Sequence, residues 1–217
     1  MKKSKKNQKI YKNSGRIMIS RVMIFSGIIM IAIVGIIQIS DYIAGKNDLK
    51  DFEKQKVKAE TIVERTIQIQ GETVEISYPV EEPTAEVGGS VLAVLRIPKI
   101  DLEEAVKEGS DNHVISSALG HMEQTALPGE EGNCAIAGHR NYVFGRFFNR
   151  LDEVQADDEI EIETLDGTYT YRVTDSFVVE PEDVSVIEQL EGKNLTLITC
   201  TPIFVGSHRL IISAVLE

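Results

Sequence analysis

From Val22 to Ile37 the chain reads VMIFSGIIMIAIVGII without one charge, and Ile39 extends the run past Gln38. About 18 apolar-dominated residues are just enough to cross a bilayer as a single helix. All eight Lys/Arg of residues 1–40 (positions 2, 3, 5, 6, 9, 12, 16 and 21) lie before the run, no acid accompanies them, and Asp41 follows it. The positive-inside rule then places residues 1–21 in the cytoplasm and residues 41–217 outside. A cleaved signal peptide is the competing reading. The run is longer than a usual h-region and no A-x-A-like site follows it, which favours an uncleaved anchor. Whatever folds must fold from what comes after.

Of 217 residues, that remainder has room for roughly one globular domain with accessories. The net charge is −11, and because the first 40 residues hold +8, residues 41–217 carry −19. An acidic body argues against nucleic acid as a partner, since phosphate binding needs a basic face. Two cysteines, Cys134 and Cys200, do not make a disulfide-dense scaffold, and two free thiols are the stronger reading.

Asp41 to Thr66 is charged and helix-compatible, with only a weak apolar stripe at Leu49, Phe52, Val57 and Ile62, and reads as a stalk. Glu72 to Ser90, with Pro79, EEPTAE and Gly88-Gly89, has linker composition. Val91 opens a different regime. VLAVLRIPKI (91–100) and LEEAVKEG (102–109) predict strands, and Ser110 or Asp111 predicts the cap of a helix through HVISSALGHM. NCAIAG (133–138) predicts a short strand, FGRFFNRL an aromatic-rich helical turn, and EIEIET and GTYTYRVTDSFVVE two strands joined through Leu165-Asp166-Gly167. PEDVSVIEQLEG predicts a loop with a short helix. Last come two alternating strands, NLTLITC (194–200) and RLIISAVL (209–216), broken by Pro202 and Gly206. Seven or eight strands in about 125 residues predict a mostly antiparallel barrel or sandwich.

If the last two strands form a hairpin, the thiol of Cys200 and the guanidinium of Arg209 flank one open edge. A cysteine nucleophile needs a base or cation nearby, because the thiolate attacks and the free thiol is mostly protonated at neutral pH. Of four histidines, His113 and His121 fall on the predicted helix and read as solvated or cap-side residues. His208 adjoins Arg209, so strand alternation turns it to the other face. His139 ends a strand after Gly138, where a turn exposes a side chain at a sheet edge. Cys134, inside the small-residue strand, reads as an inert core thiol. A papain-like order is disfavoured, because there the cysteine opens a helix and precedes its histidine; no zinc pattern occurs.

TLITC (196–200), the arginine nine positions after that cysteine in SHRL, and AGHRN (137–141) followed by FGRFFNRL resemble the sortases, membrane-anchored cysteine transpeptidases of Gram-positive surfaces. The resemblance covers roughly residues 91–217. It implies a mostly β fold, a closed antiparallel/mixed eight-stranded sortase-type β-barrel with short helices, preceded by one transmembrane helix. It carries over His139, Cys200 and Arg209 as catalytic residues, with Thr199, Ile203, Phe204 and Val205 as substrate-binding candidates. A single N-terminal anchor and no Asp-Pro-aromatic lid motif before the barrel resemble class D, with class C as the neighbouring subclass.

The implied layout is a cytoplasmic tail (1–21), a transmembrane anchor (22–40), an extracellular stalk and linker (41–90) and a catalytic domain (91–217). The implied partners are an LPxTG-like sorting signal, cleaved between Thr and Gly, and an amine nucleophile from a peptidoglycan cross-bridge or a pilin lysine. No cofactor and no metal is called for. From a different class of function, a membrane-tethered β-domain that binds a wall component without catalysis is the alternative.

Overall fold

The computed structural model describes residues 2–69, 91–140 and 146–217. The chain divides into two units, residues 1–44 and 45–217. The first is part of helix α1, Lys2–Ile69. Met23, Ile31 and Ile36 stand 70, 75 and 67% exposed. Apolar surface this bare calls for a non-aqueous cover, and by length and composition this is one helix able to cross a membrane.

The second unit is a closed barrel of eight strands. They are β1 (Val91–Ile97), β2 (Leu102–Glu108), β3 (Leu119–His121), β4 (Gly132–Ala137), β5 (Glu159–Thr164), β6 (Thr168–Val179), β7 (Lys193–Thr201) and β8 (His208–Leu216). Around the barrel they run β1-β2-β3-β4-β7-β8-β6-β5, and β5 closes onto β1. Two pairings, β2–β3 and β4–β7, are parallel and the rest antiparallel. The sheet is therefore mixed, as the sortase resemblance implies.

Period-two alternation decides which side chains fill the barrel. Cys134 and Ile136 of β4, Leu195 and Leu197 of β7, and Leu210, Ile212 and Ala214 of β8 all enter one core with Leu95, Phe148 and Tyr171. β1 reads as an almost unbroken apolar run because both of its faces are covered. Ala93, Leu95 and Ile97 face the core, while Val91 and Val94 meet Ala105, Phe52 and Leu49 on the outside. Two residues of the weak stripe in the expected stalk, Leu49 and fully buried Phe52, thus dock on the barrel wall, while Val57 is 59% exposed. The side chain of Ile62 and the whole of the expected linker, residues 72–90, lie outside the described residues.

The helix predicted through HVISSALGHM is a correction. Asp111 does cap it, accepting from His113 N at 2.8 Å and Val114 N at 3.0 Å, but α2 spans only Asn112–Ile115. Leu119–His121 instead pairs in parallel with β2, a non-local partnership that outcompetes one more helical turn. The predicted helical turn over FGRFFNRL is likewise irregular where it is described. Phe147 sits at φ 48°, and the segment ends in a 3-10 turn, Leu151–Glu153.

Glu163 on β5 clamps the docked helix electrostatically. It accepts from Lys56 Nζ and, at 2.7 Å, from Arg96 Nη1. The Lys56 ammonium, and after it the Arg96 guanidinium, hold the Glu163 carboxyl below the usual carboxylate range. A lowered folded-state value means the stabilisation is full above the unfolded value of about 4.3 and fades as pH falls through the folded one. Urea unfolding should therefore find wild type more stable than Glu163→Gln near neutral pH, with the gap closing below about pH 4. A gap independent of pH would contradict this role.

Candidate active site

Local sequence carries three chain segments to one end of the barrel. β4 and β7 run in parallel with Ala137 opposite Ile198, so two further residues on each strand bring His139 level with Cys200. The ladder is continued past its last strand pair by Gly138 N to Ile198 O, 3.0 Å, and by the Thr199 hydroxyl donating to Gly138 O, 2.8 Å. On the other side, Cys200 faces Arg209 directly across the β7–β8 ladder. One row thus crosses β4, β7 and β8 as His139, Cys200, Arg209. Because Leu195, Leu197 and Leu210 enter the core, alternation gives Cys200 and Arg209 to the outer face, where His139 also falls.

Two glycines make this approach possible. A Cβ on Gly138 would stand 2.6 Å from Leu119 Cδ2 and 2.7 Å from Phe148 Cδ2, so the strand exit seats flush on the core only without one. Gly206, at φ 65°, ends the turn after Pro202 with its N–H on Pro202 O at 2.9 Å. That turn brings it alongside Cys200, 3.6 Å from Cβ in the position a side chain would take.

The result is a cleft of about 330 Å³ lined by His139, Arg140, Cys200 and residues 202–206. Its outer wall is the loop Ile203-Phe204-Val205, with Phe204 80% and Val205 72% exposed. Apolar side chains thus border a cleft whose floor carries the imidazole and the thiol. Arg209 is half-buried beside it, and its Nη1 donates to Gly206 O at 3.2 Å and His208 O at 3.1 Å.

Other predicted residues fall elsewhere. Thr199 was expected to touch substrate, but it is 2% exposed, takes the inner face and spends its hydroxyl on Gly138 O. Alternation beside Cys200 carried that information in the sequence. His121 is not a solvated helix residue; it is 1% exposed at the end of β3, with Nδ1 at 3.0 Å from Glu108 and Nε2 at 3.0 Å from Ala126 O. His113 is exposed on α2, and His208, opposite Thr201 and one register step from Arg209, places Nε2 3.3 Å from Glu180. Both cysteines are free. Burial, then the charges of Glu108 and Glu130, push the Cys134 thiol up to about 12, so at neutral pH it stays protonated and inert.

Sequence reasoning passed over Arg140. Its side chain is only 6% exposed, pairs with Asp152 at 2.7 Å and donates from Nη1 to Thr201 Oγ1 at 2.8 Å. Its place directly after His139 was the available signal.

A mixed eight-stranded barrel with thiol, imidazole and guanidinium on one outer row defines a class of cysteine-site β-barrel proteins. The sortase domain family matches residues 95–217, more than half of the chain, and this protein belongs to the sortase family. It is 32% identical over 121 residues to sortase D of Bacillus subtilis, across 55% of this chain and 59% of that one. It is 33% identical over 140 residues to sortase SrtE1 of Streptomyces coelicolor, across 57% of this chain and 40% of that one. The chain thus spans about half the length of these curated relatives. Among solved structures, the sortase D5 transpeptidase of Clostridium perfringens superposes with TM-score 0.63 at 32% identity, covering 80% of this chain and 98% of that one. Sortase C2 of the Group B Streptococcus pilus island 1 superposes with TM-score 0.56 at 28% identity, covering 61% and 76%.

Proposed function

We propose that this chain is a class D-type sortase that joins proteins bearing an LPxTG-like signal to an amine on the cell surface, held by its N-terminal helix with residues 41–217 outside. The observation that carries the reading is the single row of His139, Cys200 and Arg209 at the mouth of the cleft. In the first half-reaction the Cys200 thiolate attacks the Thr carbonyl carbon of the signal. A C–S bond forms, the Thr–Gly C–N bond breaks, and His139 gives its proton to the departing amine. In the second, an acceptor amine attacks the thioester, His139 takes the proton, an amide forms and the thiolate leaves. Arg209 steadies the oxyanion in both steps. Its Nη1 donates to the Gly206 and His208 carbonyls, which leaves Nε and Nη2 for that task. Ile203, Phe204 and Val205 seat the apolar Leu and Pro of the signal.

The test is to incubate full-length protein in detergent with an LPxTG-type peptide and triglycine. An amine-capped product that depends on the amine is expected. Cleavage to the free acid at an equal rate with and without amine would make the protein a hydrolase, and no cleavage across an LPxTG-type library would remove the reading.

A further inference from the structure

The strand pairing between β4 and β7 ends two residues before the two groups whose separation matters most. Ala137–Ile198 is the last strand pair, and His139 and Cys200 lie beyond it. What joins the strands there is a series of hydrogen bonds: Gly138 N to Ile198 O, the Thr199 hydroxyl to Gly138 O, and then Arg140 Nη1 to Thr201 Oγ1 at 2.8 Å. Arg140 is the residue after His139, and Thr201 is the residue after Cys200. Each of the two groups is therefore bracketed by hydrogen-bonded neighbours on both sides.

The tie is costly for its strength. A charged side chain only 6% exposed loses hydration that a neutral hydroxyl repays weakly, and its carboxylate partner Asp152 is itself 55% exposed. Arg140 Nε is buried with no acceptor among the described residues. What a guanidinium supplies in return is a rigid planar fork. Two of its nitrogens, fixed relative to each other, hold the turn at Leu151–Glu153 and the exit of β7 at set positions. A lysine or an apolar residue could fill the space but could not span both.

We propose that Arg140 is a positioning residue that, through Thr201, fixes the distance and facing of His139 and Cys200 for both proton transfers. The assignment rests on the transpeptidase reading above. It predicts a loss in turnover and not in substrate affinity when the tie is cut at Thr201, which is not among the residues lining the cleft. A displacement of about 1 Å in such groups costs on the order of 100-fold in rate.

The experiment compares full-length wild type with Thr201→Val, Thr201→Ser, Arg140→Gln and the double variant Arg140→Gln/Thr201→Val. It reads kcat and KM with an LPxTG-type peptide, and the rate of Cys200 alkylation by iodoacetamide. Thr201→Val, an isostere without the acceptor, should lose on the order of 100-fold in kcat with KM nearly unchanged. Thr201→Ser should keep wild-type turnover, and the double variant should fall no further than the weaker single one. Wild-type kcat in Thr201→Val, or losses that multiply in the double variant, would overturn the proposal. If wild type itself turns over no peptide, the transpeptidase reading fails, and alkylation rates decide this one. The same non-additive slowing supports it, and equal rates in all five proteins refute it.

Discussion

Replacing Cys200 by alanine should bring transpeptidation to the detection floor, a loss on the order of 10⁴-fold or more, with the fold intact. The residue is half-buried on the outer face of β7 and takes no part in the core, so its truncation leaves no cavity inside the barrel. Cys134 cannot stand in for it. That thiol is 1% exposed in the core, and burial keeps it protonated with its value near 12. Cys134→Ala should accordingly retain turnover and lose some stability, since it removes a buried sulfur atom worth about 1–2 kcal/mol of packing. Peptide turnover measured beside urea unfolding separates the two outcomes, and retained activity in Cys200→Ala would remove the mechanism.

The second large effect belongs to His139. His139→Ala should lower kcat with the amide signal by about 10²–10⁴-fold, the usual range for a lost general acid, or about 3–5 kcal/mol of barrel-mouth chemistry. The loss should depend on the leaving group. A thioester-linked signal departs without needing a proton, so His139→Ala should recover most of its acylation rate with that substrate while Cys200→Ala recovers none. An equal deficit with both substrates would mean that His139 shapes the cleft and does not move a proton.

Most of the barrel could be read from the sequence because its information is local. Alternation in residues 194–200 and 209–216, with Pro202 and Gly206 between, predicts the hairpin, and the structure sets Cys200 opposite Arg209. The Leu165-Asp166-Gly167 turn joins β5 and β6 for the same reason. What could not be read was set by partners distant in sequence. Leu119–His121 becomes a strand because β2 offers a parallel edge and because Gly120 fits where a Cβ would stand 2.3 Å from Gly109 O. Leu49 and Phe52 give only one buried turn of helix, too short a stripe to signal docking. Nothing local marks Arg140, because Asp152 and Thr201, which hold it, lie 12 and 61 positions away. The three-residue row itself was legible only in part. Cys200 and Arg209 are linked by one hairpin, whereas His139 joins them through the parallel β4–β7 pairing that no short-range pattern encodes.

The central claim is that Cys200 alone becomes acylated. It is tested most directly by mixing the full-length protein with an LPxTG-type peptide in the absence of amine, quenching in acid, digesting and mapping the adduct by mass spectrometry. The account predicts a thioester of the signal up to its threonine on Cys200, discharged when triglycine is added, with Cys134 unmodified. Product formation with the adduct on Cys134, or with no covalent adduct at any time point, would contradict it.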